Sequence, residues 1–463
     1  MSATQTPPTT DPSRNAPTPP ASVPDHALRV AILGGGPGGS TLATLLAERG
    51  AHVVLFDDEK RPDLIVGESL IAAIIPIFRR LGIEDEVAKI GKVKPGASFI
   101  WAGYEALHLT FASVGDRCPQ YAYNVPRPAF DDLLRARARR ANVHVVRQRA
   151  KVERAEEGSE VLRFAEETLR DVPALGGHQP DLVVDCTGRN RLIARMLDLP
   201  TRDGPRNDIA HFAHWQNYDT TDLPEGHVIT GLMKRGWSWN IPLPDRVSVG
   251  VVMNKQHMRE FGDTPEQQYL GVVADDPQLS QRTANATRLT DIVTYNNYQK
   301  FSERGYGPNW VLLGDAFGFV DPMLSPGLFL AMHAAELLDE QLEPLLRKGR
   351  LHRDASLPSP VAARPFQKAL ERYSRRMVDW YARWSELIEM FYSGRVLALR
   401  EAGMDWVNTY PNKWSKRFSD HMEKQMACMA AGAATRSRYA WMLLRCGTRY
   451  GMRGKKPDQY EVR

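Results

Sequence analysis

The spacing of apolar residues changes character several times along this chain. Val30-Ala31-Ile32-Leu33 is a short continuous apolar run that feeds into glycines, the pattern of a buried parallel strand. Thr41 to Arg49 has helical character, and Val53-Val54-Leu55-Phe56 is a second buried run. This is a β-α-β unit in about 30 residues, the opening of a Rossmann-like fold. Leu182-Val183-Val184, before Asp185, and Trp310-Val311-Leu312-Leu313, before Gly314, predict two more strands of the same sheet. Between them, His227 to Met233 and Val247 to Met253 alternate, which predicts half-buried antiparallel strands in an inserted sheet at about residues 205–300. From Phe366 the period becomes helical. Phe366, Leu370, Tyr373, Met377, Trp380, Trp384, Leu387 and Phe391 form one apolar stripe, expected to pack against the rest of the protein. The predicted organisation is a tail at 1–26, a core at 27–345 that carries the inserted sheet, and a helical region at 346–463.

Composition narrows the function classes. The 463 residues are 43% hydrophobic and 25% charged, ordinary for a globular chain. The net charge of +5 is mild and gives no reason to expect nucleic acid. Cys118, Cys186, Cys428 and Cys446 are scattered, without the spacing of a metal site or a disulfide framework. Free thiols, no apolar run near the ~20 residues of a membrane span, and no secretion signal lead us to expect a cytoplasmic protein. Met1 to Pro24 holds seven prolines among Ser, Thr and Ala and is expected to be disordered.

The chemistry begins at Gly34-Gly35-Gly36-Pro37-Gly38-Gly39, between the first strand and the first helix. Gly34 permits the tight turn, Gly36 lets the backbone approach a pyrophosphate, and Gly39 allows close helix-sheet packing. The helix N-terminus then meets the phosphate charge. Asp57, closing the second strand, is placed to accept from ribose hydroxyls. Further elements resemble those of FAD-dependent hydroxylase-type flavoproteins, in their order. They are Arg127 in Tyr123-x-x-x-Arg127-x-x-x-Asp131, the run Asp185-Cys186-Thr187-Gly188-Arg189, and Gly314-Asp315 after a late strand. The resemblance implies FAD as cofactor, with Arg127, Gly314 and Asp315 among its contacts.

Three segments are more specific and resemble the flavin-dependent halogenases. Gly67-Glu68-Ser69-Leu70 is similar to that family's loop beside the flavin ring, which implies that Glu68 and Ser69 contact the cofactor. Trp237-Ser238-Trp239-Asn240-Ile241-Pro242 carries the family's Trp-x-Trp-x-Ile-Pro motif. Trp237, Trp239 and Ile241 share one strand face. The resemblance implies that the two indoles keep organic substrate from the flavin. Phe319-x-x-Pro322-x-x-Ser325-x-Gly327 matches the element held diagnostic of these enzymes. Lys94-Pro95-Gly96-Ala97-Ser98-Phe99-Ile100-Trp101 resembles the segment bearing the lysine that delivers halogen; Lys92 beside it reads as a solvated surface residue.

The resemblance covers roughly Leu28 to Leu337 and implies an α/β fold: a Rossmann-like FAD-binding domain, an inserted antiparallel substrate-side sheet and a helical C-terminal region. Reduced FAD from a separate flavin reductase, with O₂, would convert chloride or bromide to hypohalous acid, which Lys94 would present to an electron-rich aromatic ring. Ser325 of the motif would be catalytic with Lys94, Trp237 and Trp239, and the Gly327 and Leu328 N–H groups would hold the halide. There are two departures. Leu324 stands where tryptophan-specific members carry glutamate, which resembles the members acting on phenols or pyrroles, free or carrier-bound. Pro326 lacks an N–H near the halide position. An aromatic hydroxylase would share the FAD elements but leave the two tryptophans and Lys94 unexplained; Pro326 keeps open a catalytically silent flavin-binding relative.

The last thirty residues gather Arg436, Arg438, Arg445, Arg449, Arg453, Lys455 and Lys456 around Tyr439, Trp441, Met442, Leu443 and Leu444. A solvated terminal helix is the expectation. The alternatives are docking of an acidic carrier protein and, less favoured, contact with a membrane surface.

Overall fold

The computed structural model describes residues 27–58, 64–101, 106–233, 235–347, 356–452 and 455–462. The expected tail at 1–26 lies outside them, as does Arg453. In chain order the principal elements are β1 (Arg29–Leu33), α1 (Pro37–Glu48), β2 (His52–Phe56), β3 (Gly96–Trp101), β4 (Leu107–Thr110), α2 (Arg127–Arg140), β5 (His144–Val146), β6 (Leu182–Asp185), β7 (Thr201–Gln216), β8 (Val228–Met233), β9 (Gly236–Pro242) and β10 (Val247–Asn254). They continue with α3 (Pro265–Asp275), β11 (Val293–Ser302), β12 (Trp310–Leu312), α4 (Gly327–Leu346), α5 (Arg364–Tyr392), α6 (Arg395–Thr409), α7 (Lys413–Ala430) and α8 (Arg438–Cys446).

The continuous apolar runs form a five-stranded parallel sheet in the order β12-β6-β1-β2-β5. Parallel strands covered on both faces need no polar alternation, which is why these runs read as uniformly apolar. The α1 helix lies against α4, and α4 in turn against α5.

The second sheet orders β7-β10-β9-β8-β3-β4, with β11 and Thr287–Arg288 also pairing β7. It therefore starts at Thr201 and also takes in β3 and β4, which lie far upstream of residue 205. β3 runs parallel to β8; the other pairs are antiparallel. The expectation of half-buried strands fails for β10, which is buried from Val247 to Met253. The Val249, Val251 and Met253 face packs with Tyr269 and Val272 of α3, so neither face meets water. All eight residues of the helical stripe are buried along α5. Two of the helix's tyrosines brace the first sheet: the Tyr373 hydroxyl donates to Leu312 O at 2.9 Å and the Tyr381 hydroxyl to Gly314 O at 2.8 Å. One apolar core runs from Leu28 to Val462, so the C-terminal helices share it with the sheets.

The C-terminal segment docks by one face and keeps the other, with Arg438, Tyr439, Met442 and Arg449, in solvent as expected. Trp441 and Leu444 are buried, Arg445 pairs with Glu386 and Arg436 with Asp379 of α5, and Lys455 pairs with Glu401 and Asp405 of α6. The acids on α5 and α6 explain why a basic segment docks there. No described helix is long and apolar enough to cross a membrane. All four cysteines are free.

Candidate active site

A cavity of about 680 Å³ opens along the C-terminal ends of the parallel strands. Gly34 to Gly39, Asp57, Glu68, Ser69, Arg127, Gly314 and Asp315 line it, as do Trp237, Trp239, Ser325, Gly327 and Leu328. The glycines have separate reasons to be there. Gly34 has φ +114° and a Cβ on it would stand 2.2 Å from Cys186 O; a Cβ on Gly39 would stand 2.0 Å from Gly34 O. Around a Cβ on Gly36 there is nothing within 4 Å. That open space faces the N-terminus of α1, where the Gly38 and Gly39 N–H groups have no intrahelical partner to bind. An anion fits this cradle by charge and by shape.

Asp57 is buried at the end of β2, 3.4 Å from Arg135. Arg127 faces the cavity and pairs with Asp131 at 3.2 Å. Burial pushes the Asp315 carboxyl up to about 6, against the opposing pull of Arg189 and Arg127. Trp237 and Trp239 stand side by side, ring centroids 5.9 Å apart. Both indole N–H groups are engaged: Trp237 donates to the Tyr392 hydroxyl at 2.7 Å and Trp239 to Ser248 Oγ at 3.3 Å. Tyr392 in turn donates to Asp321 at 3.0 Å, and Asp321 caps the turn that delivers Ser325. Ser325 sits at φ +56°, and Pro326 caps α4, whose first residues are Gly327 and Leu328.

A second, smaller chamber of about 40 Å³ adjoins the cavity and is lined by Lys94 and Leu324. Val228, Thr230, Met323 and Ser325 line both spaces. The two tryptophans line only the large cavity. The partition between the spaces is therefore made by β8 and the Met323–Ser325 turn, with the indoles one strand further over.

Lys94 is 3% exposed, and its amine donates to Ser69 Oγ at 2.7 Å and to Leu70 O at 2.8 Å. Burial pulls its pKa down to about 7. Backbone pairing makes this contact. Lys92–Lys94 pairs with Ala122–Asn124, and Ser69 bridges to Asn124 from the Glu68–Leu70 loop. Lys92, by contrast, is partly exposed and 3.8 Å from Glu225.

Sequence reasoning missed two partners. Glu68 lies 2.9 Å from His214 Nε2 on β7, both residues buried. His227, behind the lysine segment, shares Ser98 Oγ with His108. Its pKa is lowered to about 4 by burial, then by His108 and Lys94. No local pattern announces either, because each joins strands far apart in sequence.

Comparison with known proteins decides the family. The family described as tryptophan halogenase matches residues 29–119 and 112–433. The chain belongs to this family. It is 29% identical over 384 residues to a tryptophan 2-halogenase of Chondromyces crocatus, covering 79% of this chain and 68% of the relative. Identity is also 29% over 343 residues to a 1H-pyrrole-2-carbonyl-[peptidyl-carrier protein] chlorinase of Pseudomonas fluorescens, 68% of this chain and 75% of the relative. Among solved structures, the myxobacterial chondrochloren halogenase, an FAD-dependent halogenase, superposes with a TM-score of 0.66 at 26% identity, over 80% of this chain and 83% of the other. This halogenase family member is thus an oxidoreductase that uses FAD and a halide. The open cradle at Gly36 suits the cofactor, and the hydroxylase alternative falls away.

Proposed function

We propose that this halogenase acts on a neutral, electron-rich aromatic ring, phenol- or pyrrole-like, through Lys94. The observation that carries this reading is the wall of the small chamber. Ile71, Phe99, Leu109, Phe111, Leu324 and Ala430 surround Lys94, and no carboxylate or guanidinium is among the lining residues. A free amino acid would bring its ammonium into a space with no carboxylate to pair it, at a cost of several kcal/mol, and its carboxylate would compete for the Lys94 amine that the chemistry needs. Leu324 removes the one carboxylate that tryptophan-specific members carry at this step.

The residues divide the work. Gly36 would present backbone to the pyrophosphate of FAD, with Gly34 making the turn and Gly39 the close packing behind it, and Asp57 would accept from its ribose. Arg127, Gly314 and Asp315 would line its middle, while Glu68, Trp237 and Trp239 would wall the ring. When bound in reduced form, the flavin supplies, with O₂, the oxidation of halide to hypohalous acid. The Gly327 and Leu328 N–H groups at the start of α4 attract the halide beside Ser325. The acid then passes Thr230 and Ser325 to Lys94, whose neutral fraction at pH 7 can take the halogen. With one dinucleotide fingerprint in the chain, a separate flavin reductase supplies the reduced cofactor.

A carrier-bound substrate has a plausible landing surface. Trp406, Tyr410, Trp414 and Phe418 are exposed at the α6–α7 turn, and Tyr439 and Met442 on α8. Residues 406–450 hold eight Lys and Arg against two Asp and Glu. Lys413, Lys416, Arg417 and Arg438 make no ion pair with a described residue. Aromatic, Met and Arg residues are what protein interfaces favour, and the charge suits an acidic carrier. α7 runs about 27 Å from Lys413 to Ala430 on the chamber wall.

The test is turnover with a flavin reductase, in chloride and separately in bromide, read by mass spectrometry. The panel is phenols, free and carrier-bound pyrroles, and tryptophan. Halogenated phenol or pyrrole with little halogenated tryptophan is expected; preferred turnover of free tryptophan would overturn the proposal. Lys94→Ala should lose nearly all product per flavin oxidised, while Lys92→Ala stays close to wild type.

A further inference from the structure

Ser69 occupies a position no other described residue shares. It lines the large cavity, and its hydroxyl oxygen accepts from Lys94, which lines the small chamber. Ser69 is 3% exposed, and among the described residues its hydroxyl donates to no protein acceptor. A serine hydroxyl carries one proton and two lone pairs. With a lone pair occupied by Lys94, the proton is left for a group arriving in the cavity. The second Lys94 contact, to Leu70 O, fixes the amine from another side. A neutral amine that spends both N–H bonds on Ser69 and Leu70 has its lone pair directed away from them.

We infer that Ser69 is a catalytic proton relay between Lys94 and hypohalous acid. The inference rests on the reading of Lys94 as halogen acceptor. The Lys94 nitrogen attacks the halogen of hypohalous acid; the N–halogen bond forms as the O–halogen bond breaks. The oxygen leaves with both electrons of that bond. Through one intervening water, Ser69 gives its proton to the departing hydroxide, making water, and takes the amine proton in exchange. One amine and one hypohalous acid become one haloamine and one water. The halogen keeps its oxidation state, and Ser69 ends as it began. Without the relay, hydroxide would have to leave into a low-dielectric space with the amine still protonated, two charges at the centre of the step. Thr110, Thr230 and Ser325 also bring hydroxyls to the chamber wall, but Ser69 is the one that already holds the Lys94 amine.

The experiment compares wild type, Ser69→Ala, Ser69→Thr and Lys94→Ala, each with flavin reductase and a phenol acceptor. Each is read as halogenated product per FADH₂ oxidised, so any effect on flavin handling divides out. Free hypohalous acid is trapped in the same reactions. Ser69→Ala is expected to lose about a hundredfold in that ratio, the scale of one positioned acid–base group, with a matching rise in trapped hypohalous acid. Ser69→Thr keeps the hydroxyl and should restore the ratio to within a few-fold of wild type. Single turnovers in mixed H₂O and D₂O should show more than one proton in flight in wild type and in Ser69→Thr. A Ser69→Ala ratio above half that of wild type, with Lys94→Ala inactive, removes the relay and leaves Lys94 standing. Product from Lys94→Ala removes both. If Ser69→Ala does not fold, Ser69→Thr decides: a one-proton inventory or a collapsed ratio there overturns the relay.

Discussion

Replacing Lys94 by methionine keeps the reach of an unbranched side chain and removes the amine. The consequences for stability follow from burial. A lysine carried from its ordinary 10.5 to about 7 forgoes about 1.4 kcal/mol for every pH unit between them, about 5 kcal/mol in all. Between pH 7 and 10.5 the unfolded chain holds a proton that the folded chain has released, so the unfolded state binds more protons and wild-type stability rises with pH across that window. Lys94→Met does not titrate there. It also leaves the buried Leu70 carbonyl without its donor, a loss of about 1–2 kcal/mol. The variant should therefore be more stable than wild type by about 3 kcal/mol at pH 7, and the gap should narrow by about 2 kcal/mol by pH 9. Urea unfolding of both proteins without flavin, at the two pH values, measures the gap. A gap that stays constant with pH would show that Lys94 is not a buried amine titrating near neutrality. A gap that widens would reverse the sign of the argument. Loss of halogenation alongside gained stability would mark Lys94 as a group kept for chemistry at a cost in folding.

Two further substitutions test other parts of the site. Gly36→Val should fold with unchanged urea midpoint, since the side chain enters open space at an ordinary φ of −74°, yet FAD affinity measured by flavin fluorescence should fall by at least about tenfold. Tyr392→Phe cuts the link from Trp237 to Asp321 and should lower stability by about 1–3 kcal/mol in denaturant melts, with a change in tryptophan emission; an unaltered midpoint would mean the hydroxyl network does not hold the Ser325 turn.

What the sequence determined alone is what a short stretch of chain can encode. The glycine loop was legible because the turn itself sets the demands: Gly34 needs φ +114°, and a Cβ on Gly39 would meet Gly34 O five residues earlier. The paired tryptophans were legible because a strand's two-residue period sets Trp237 and Trp239 on one face whatever the strand pairs with. The α5 stripe was legible for the corresponding helical reason. Partners brought from far along the chain carry no such local mark, and the surprises came from them. Ala122–Asn124, pairing with Lys92–Lys94 and bridging to Ser69, brings the Ser69 hydroxyl against an amine 25 positions away. Pairing across the second sheet places His214 where Glu68 meets it and sets Val228 and Thr230 between the two spaces, while α3 covers the second face of β10 where alternation had suggested one buried face. The acids of α5 and α6 hold one side of the C-terminal helix, whose other side stays in water. A side chain's chemistry is written at its own position, but its pKa and its partner are set by which distant backbone the folded chain lays beside it, and only the tertiary structure contains that.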